Sequence, residues 1–118
     1  MEDLQGRLAS YPGAEPGYPF GPGAQVWKVG GKIFAIVDED AHPTRIAMKC
    51  DPDLALDLRE EFPGKVLPGY HLNKRHWNTV ILDELPNEEL EDWIGHSYEL
   101  VVASLPARLR RALDEPGS

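Results

Sequence analysis

The sequence lacks the features that mark several classes of protein. Its 118 residues include one cysteine, Cys50, so no internal disulfide can form and a reducing compartment is expected. The acidic segment 1–10 has no apolar run of the kind found in secretory signals, and no stretch approaches the ~20 apolar residues that span a bilayer. These absences predict a cytoplasmic protein with a single domain at 1–113 and a flexible tail at 114–118.

Cations are also scarce. The chain has 12 Lys and Arg against 20 Asp and Glu, which gives a formal net charge of −8. This balance disfavours a general nucleic-acid binder, because cations on phosphates supply most of the non-specific affinity. Only a local basic patch could offset it, and Lys65, Lys74 and Arg75 crowd one such region.

Patterns typical of catalytic and metal sites are missing as well. His71 and His76 fall on opposite faces of a strand, and no H-E-x-x-H pattern occurs. There is no G-x-S-x-G turn, and Ser97 lies inside the apolar stripe of a helix, where a small residue permits close packing. The "GPGAQV" segment lacks the third glycine of a dinucleotide loop and precedes a strand. We therefore predict no bound metal, no cofactor and no enzymatic turnover.

The elements that are present predict an α+β protein. Two β-rich runs flank Gly30-Gly31, a pair that suits the positive φ angles of a type I′ hairpin turn. Asp51 and Pro52 begin a helix that Pro63-Gly64 ends. The Pro- and Gly-rich segment 11–23 is expected to be an ordered connection or an extended edge. The order α-β(3)-α-β(2)-α indicates a two-layer sandwich, an antiparallel sheet of about five strands with helices on one face.

Alternation along the strands assigns side chains to the two faces of this sheet. The face predicted to lie under the helices receives Trp27, Val29, Ile33, Ala35, Val37, Ile46 and Met48. The open face receives Lys28, Lys32, Phe34, Ile36, Arg45, Ala47 and Lys49. The segment 74–77, Lys-Arg-His-Trp, leads into the last strand of the same sheet.

Two functions fit such an open face. Cations interleaved with aromatic side chains are how an open sheet holds nucleic acid. Alternatively, Phe34 and Ile36 form an apolar surface that binds a protein or a second copy of the chain. Either way a monomer or weak homodimer is expected. The residue pattern alone leaves both functions open.

Four segments of the chain resemble the MmcQ/YjbR family of small bacterial proteins. They contain the motifs P-F-G, K-V-x-G-K-x-F-A, K-C-D-P and H-x-N-K-x-H-W, in the order and spacing of that family. The resemblance covers roughly Leu8 to Leu105. It implies a fold similar to secretion chaperones and frataxin-like proteins, with no enzymatic activity. It also implies DNA binding through a "double wing" of strand hairpins.

Carried over by position, the resemblance implies a set of binding residues. These are Lys28, Lys32, Lys49, His71, Asn73, Lys74, His76, Trp77 and Asn78. Of the loop residues, Lys74, Arg75 and one histidine are expected to contact a partner's phosphate. Trp77 is expected to anchor the loop, and Asn73 and Asn78 to hold its backbone. Together with Arg45 and Lys65, these residues make up the predicted binding site, with weak, sequence-independent DNA contacts or a protein as partner.

Overall fold

The computed structural model describes residues 4–69, 75–82 and 87–114. Within them the chain forms four helices and six strands. The helices are α1 (Leu4–Ala9), α2 (Pro52–Glu61), α3 (Asn87–Ala103) and α4 (Ala107–Asp114). The strands are β1 (Glu15–Gly17), β2 (Ala24–Val29), β3 (Lys32–Asp38), β4 (Arg45–Lys49), β5 (Val66–Pro68) and β6 (Trp77–Ile81). The predicted tail at 115–118 lies outside the described residues, whereas residue 114 ends α4.

All six strands join one antiparallel sheet in the order β1-β2-β3-β4-β6-β5. The predicted α+β class with helices on one face is confirmed, and the sheet has one strand more than expected. That strand, β1, comes from the Pro- and Gly-rich segment. It is only three residues long and lies at the edge of the sheet. An edge strand has a neighbour on one side only, so it tolerates a proline, which cannot donate a backbone hydrogen bond.

Local signals place the turn and the cap correctly. Gly30 and Gly31 have φ angles of 58° and 84°, the positive pair that a type I′ turn requires. The Asp51 carboxylate accepts a hydrogen bond from the Asp53 amide at 3.0 Å, and Pro52 opens α2 at the first helical position. No helix in the described part of the chain is both long and apolar enough to cross a bilayer.

One core lies between the helices and one face of the sheet. Each helix contributes to it, with Leu4 and Leu8 from α1 and Ile94 from α3 among the buried members, and with Leu109 of α4 packed at its margin. The sheet residues in this core are Trp27, Val29, Phe34, Ala35, Val37, Ile46, Met48, Val66 and Val80. None of the helices in the described residues packs on the opposite face of the sheet.

A β-bulge in β3 changes the predicted assignment of faces. Trp27 pairs with Ala35 and Lys28 pairs with Ile33, so Phe34 is one extra residue without a partner on β2. Phe34 is fully buried in the core, although alternation had placed it on the open face. Ile33 shares the open face with its partner Lys28, although alternation had placed it in the core. Both predictions were wrong because strict alternation fails where a strand gains one residue.

Aromatic rings surround Phe34 on the helix side of the sheet. Its ring meets those of Tyr11 and Tyr98 edge to face, with centroids 6.1 and 5.5 Å away. The Tyr98 hydroxyl donates to the Pro12 carbonyl at 2.6 Å. This cluster ties the segment after α1 to α3, and it accounts for the burial of Phe34.

Candidate binding surface

The open face of the sheet carries an uncharged row of side chains that crosses all six strands. Cross-strand partners lie on the same face of a sheet, so the row can be followed through the register. It runs Gly17, Val26, Ile36, Ala47, Thr79 and Leu67, each paired with the next. We call this set the apolar row. Ile36, Leu67 and Thr79 are half-buried, whereas Val26 and Ala47 are buried.

Charged residues of both signs flank the apolar row. On one side Asp38 pairs with Arg45. On the other side Glu15 pairs with Lys28. Two of the cations that were predicted to bind a ligand therefore each have a carboxylate as direct cross-strand neighbour. The open face is a mixed surface, and its positive charge is interrupted by acids.

Lys49 differs from these two cations in its neighbour. It pairs across the strands with Trp77, and both side chains are half-buried on the open face at the end of β4 and β6. The segment 70–74 immediately precedes this corner in the chain. The predicted site residues His71, Asn73 and Lys74 lie there, outside the described residues.

A groove of about 610 Å³ lies over the apolar row. It is lined in part by Phe20, Ala24, Ile36, Arg45, Ala47 and Thr79. Phe20, at one wall of the groove, has 69% of its surface exposed. Asp38 and Asp40 also line the groove, and the Asp40 carboxylate packs closely on Gly23. The groove thus combines an apolar floor with a rim that carries both signs of charge.

A second hollow of about 570 Å³ lies beside Lys28 at the β1 edge. Tyr18 lines it, and the Tyr18 hydroxyl donates to Glu39 Oε2 at 3.0 Å. That hydrogen bond to a carboxylate raises the pKa of Tyr18 above its ordinary value. The bond connects the segment after β1 to the end of β3.

Lys32 does not lie on the open face, contrary to the sequence prediction. Its ammonium donates to the Ser104 carbonyl at 3.3 Å and to the Ser104 hydroxyl at 3.2 Å, at the C-terminal end of α3. Arg110 donates to the neighbouring Ala103 carbonyl at 3.2 Å. Cations in this position satisfy helix-end carbonyls and complement the helix dipole. The bulge at Phe34 places Lys32 on the helix side.

Asn78 faces the helices and is only 3% exposed. Its side-chain oxygen accepts from Arg59 Nε at 2.7 Å, and its amide donates to the Ala55 carbonyl at 3.2 Å. Arg59 also donates to the Trp77 carbonyl at 3.3 Å. Asn78 was predicted to hold loop backbone, but in the structure it joins α2 to β6.

The remaining predicted site residues lie at two different ends of the sheet: Arg75 and His76 precede Trp77, whereas Lys65 lies beside Ile81. The His76 carbonyl accepts from the Cys50 amide at 2.6 Å, and its side chain is half-buried. Arg75 is exposed. Lys65 is half-buried, and its carbonyl accepts from the Ile81 amide at 2.8 Å. The structure thus brings Lys28, Arg45, Lys49 and Trp77 onto one face, with Arg75 and His76 at its end.

Sequence reasoning missed the role of Ser97. Its hydroxyl, fully buried, donates to the Phe34 carbonyl at 2.7 Å and accepts from the Lys49 amide at 2.8 Å. These two backbone groups lie just beyond the β3–β4 ladder, whose last pair at this end is Ala35 with Met48. Nothing local in the sequence signals this, because the need arises from a bulge on another element.

Cys50 lies in the core near His96, which accepts a hydrogen bond from the Asp51 amide at 3.3 Å. Burial, followed by the charge of Asp51, raises the pKa of the Cys50 thiol to about 11. A thiol in this state is a poor nucleophile at neutral pH. Among the described residues no three His, Cys, Asp or Glu side chains come together as metal ligands.

The chain is similar to several known proteins. The family model described as YjbR matches residues 9–100. The uncharacterized protein YbdF of Escherichia coli O157:H7 is 40% identical over 110 residues, which is 92% of this chain and 89% of that protein. The uncharacterized protein YjbR of E. coli strain K12 is 37% identical over 103 residues, 86% of each protein.

Solved structures show the same fold. The crystal structure of Deinococcus radiodurans protein DR2400, with the family-model domain DUF419, superposes with a TM-score of 0.90 at 35% identity. The match covers 99% of this chain and 89% of that one. A Pseudomonas syringae protein superposes with a TM-score of 0.69 at 27% identity, covering 83% of this chain and 97% of that one.

Proposed function

The chain belongs to the YjbR family, and we propose that it is a non-enzymatic binding protein whose open sheet face binds a polypeptide. The observation that carries the proposal is the apolar row that crosses the whole sheet, with charges of both signs on either side. Protein interfaces have this composition, an apolar centre within a polar rim. Neither the buried thiol of Cys50 nor the Ser97 hydroxyl, which bonds two backbone groups, is placed to act as a nucleophile, and this supports the non-enzymatic part of the proposal.

The charge arrangement favours a polypeptide over a nucleic acid. A surface that binds phosphates sequence-independently depends on cations whose charge is not already balanced. Lys28 and Arg45 instead stand beside Glu15 and Asp38. A polypeptide with both signs of charge around apolar side chains complements this face, because each rim residue then finds an opposite charge.

The groove supports the same kind of partner. Its volume of about 610 Å³ suits several side chains, and its floor is formed by Ile36, Ala47 and Thr79. Phe20 projects at one wall and can contact an apolar group of the partner. Phe, Tyr and Trp side chains contribute strongly to protein interfaces, because each of them buries a large apolar area.

Site-specific photo-crosslinking from position 36 tests this function. A photoreactive amino acid in place of Ile36 is expected to yield protein adducts in cells that express the chain. Thr79→Glu puts a charge into the row and should abolish these adducts while the circular dichroism spectrum is unchanged. The control is a photoreactive residue in place of Leu56, which is 57% exposed on α2, away from the sheet face. Nucleic-acid adducts at position 36, or protein adducts equal at both positions, would overturn the proposal.

Nucleic-acid binding is a second candidate, favoured by the Lys49–Trp77 pair. Here a cation and an indole lie side by side on the open face, an arrangement that combines phosphate contact with base stacking. Arg75 and the predicted site residue Lys74 come just before Trp77 in the chain. The expected affinity is weak, about 10⁻⁴–10⁻⁶ M, as for non-specific complexes.

Fluorescence anisotropy with a labelled duplex and a labelled single strand at several salt concentrations tests this candidate. With ~3–4 phosphate contacts the logarithm of affinity should fall with log salt at a slope near −3, at ~0.9 per contact. Replacing Lys74 and Arg75 by Ala should reduce that slope by roughly 2 for any sequence. The matched control removes Arg108 and Arg111 on α4, the same charge change elsewhere. No binding at low salt, or equal effects of both double variants, excludes the second candidate.

A further inference from the structure

The open face is complementary to itself. From this we infer that the polypeptide it binds is a second copy of this chain, an inference that rests on the proposed function. β3 and β4 lie at the middle of the six-stranded order. A two-fold axis parallel to the strands, between β3 and β4, would set β3 of one copy over β4 of the other. It would likewise set β2 over β6.

This symmetry brings opposite charges together. Asp38 and Arg45 lie on the same side of the apolar row, on β3 and β4 respectively. The axis therefore places Asp38 of each copy over Arg45 of the second copy, twice in the dimer. On the other side of the row, Lys28 of β2 comes over Trp77 of β6, where a cation can lie against an indole ring.

Apolar groups match in the same arrangement. Ile36 comes over Ala47 of the second copy, so the middle of the two apolar rows packs together. Val26 is already buried within its own chain and adds no surface to this contact. Phe20 rises on the β2 side of the groove, and the axis carries it to the β6 side of the other groove. The exposed ring thus gains a place beside Thr79 and Ile81 of the second copy.

The charges also select between two possible axes. A two-fold axis along the apolar row would place each strand over its own symmetry mate. Arg45 would then lie over Lys49, which is on the opposite side of the row on the same strand. Like charges that face each other across an interface are unfavourable. Only the axis parallel to the strands places favourable partners over each other on both sides of the apolar row.

The size of the face predicts a weak dimer. Six strands ~4.8 Å apart and about five residues long at ~3.4 Å each give a face of about 400 Å² per copy. Stable complexes bury about 800 Å² per partner. We therefore expect a dissociation constant in the range of ~10–100 µM, with two sheets packed face to face at the ~30° angle common in sandwiches.

Charge exchange between two variants tests the dimer. Sedimentation velocity over ~5–500 µM should show the unmodified chain shifting from monomer to dimer. Asp38→Arg places Arg over Arg45, and Arg45→Asp places Asp over Asp38, so each variant alone should dimerise at least ~10-fold more weakly. An equimolar mixture of the two should dimerise again, because every facing pair in the heterodimer is then opposite in charge. Within each variant chain, positions 38 and 45 still carry charges of the same sign in the mixture. A rescue of dimerisation therefore reports only contacts between chains.

Asp57→Arg is the matched control, because Asp57 is exposed on α2 and lies away from the sheet face. It should leave dimerisation unchanged. A chain that is monomeric up to ~500 µM, or variants that fail to rescue each other when mixed while their circular dichroism spectra are native, would overturn the inference. A monomeric chain that still gives crosslinks to a different protein from position 36 would overturn the dimer and leave the proposed function standing.

Discussion

The hydroxyl of Ser97 on α3 donates a hydrogen bond to the backbone carbonyl of Phe34 at 2.7 Å, at the point where β3 bulges. The same hydroxyl accepts from the Lys49 amide. Ser97→Ala should therefore remove the hydrogen bonds of the Phe34 carbonyl and the Lys49 amide to this hydroxyl, in a buried position that water does not reach. We expect a loss of about 1–3 kcal/mol in the free energy of unfolding, measured by urea denaturation.

Ser10→Ala serves as the control for this experiment. The Ser10 hydroxyl also bonds a backbone carbonyl, that of Arg7 at 2.6 Å, but it is exposed. Water can replace that bond, so the change should be within ~0.5 kcal/mol. Equal losses for the two variants would contradict the bridging role of Ser97.

The two glycines of the hairpin turn should respond differently to alanine. Both have positive φ, so either substitution should cost ~1–2 kcal/mol through backbone strain. A Cβ on Gly30 would also lie 2.7 Å from a methyl carbon of the buried Leu105, whereas one on Gly31 meets nothing within 4 Å. Gly30→Ala should therefore lower the melting temperature more than Gly31→Ala. The reverse order would mean that the turn does not pack against Leu105.

Asn78→Ala separates a structural role from a binding role. The substitution removes the acceptor of Arg59 Nε and the donor to the Ala55 carbonyl, so we expect a loss of about 2–3 kcal/mol in stability. Thr79→Ala, one residue on and on the opposite face, should change stability by less than ~1 kcal/mol. If Asn78→Ala alters nucleic-acid or self-association affinity with stability unchanged, the side chain acts as a ligand and the structural role is refuted.

Cys50 should be slow to alkylate in the folded protein. Its pKa of about 11, against 9.0 for an ordinary thiol, lowers the thiolate fraction at pH 8 by ~100-fold, and burial hinders the reagent further. Iodoacetamide labelling followed by mass spectrometry should be complete in urea and slow without it. The thiol stays protonated to a higher pH in the folded state than in the unfolded chain. The free energy of unfolding should therefore decline as the pH rises from about 9 towards 11. Rapid labelling of the native protein would show that the site opens.

The sequence predicted correctly those parts of the fold that depend on residues close together in the chain. The Gly30-Gly31 turn and the Asp51 cap depend on residues that are neighbours in the chain, so the sequence displays them directly. The faces of β3 depend instead on a bulge that is stabilised by Tyr11, Tyr98 and the Ser97 hydroxyl. These groups come from other elements, and no count along the strand reveals them.

The sequence assigned only some of the predicted site residues to the correct face of the sheet, again because alternation is a local rule. Lys28, Arg45 and Lys49 lie on regular stretches of their strands, and alternation placed them on the open face. Lys32 lies beyond the bulge and reaches the end of α3 instead. The acids opposite Lys28 and Arg45 could not be assigned before the register of the strands was available, since cross-strand neighbours are distant in sequence. The residue pattern therefore left nucleic acid and protein open as partners, whereas the cross-strand acids of the assembled face favour a protein.

The bulge at Phe34 has a consequence for how this hairpin can evolve. Because Phe34 has no counterpart on β2, the pairs on either side of it, Trp27 with Ala35 and Lys28 with Ile33, do not depend on its presence. Deleting this one codon would close the ladder without re-pairing either strand. A substitution at this position therefore changes the core side chain while the cross-strand pairs of the open face stay the same.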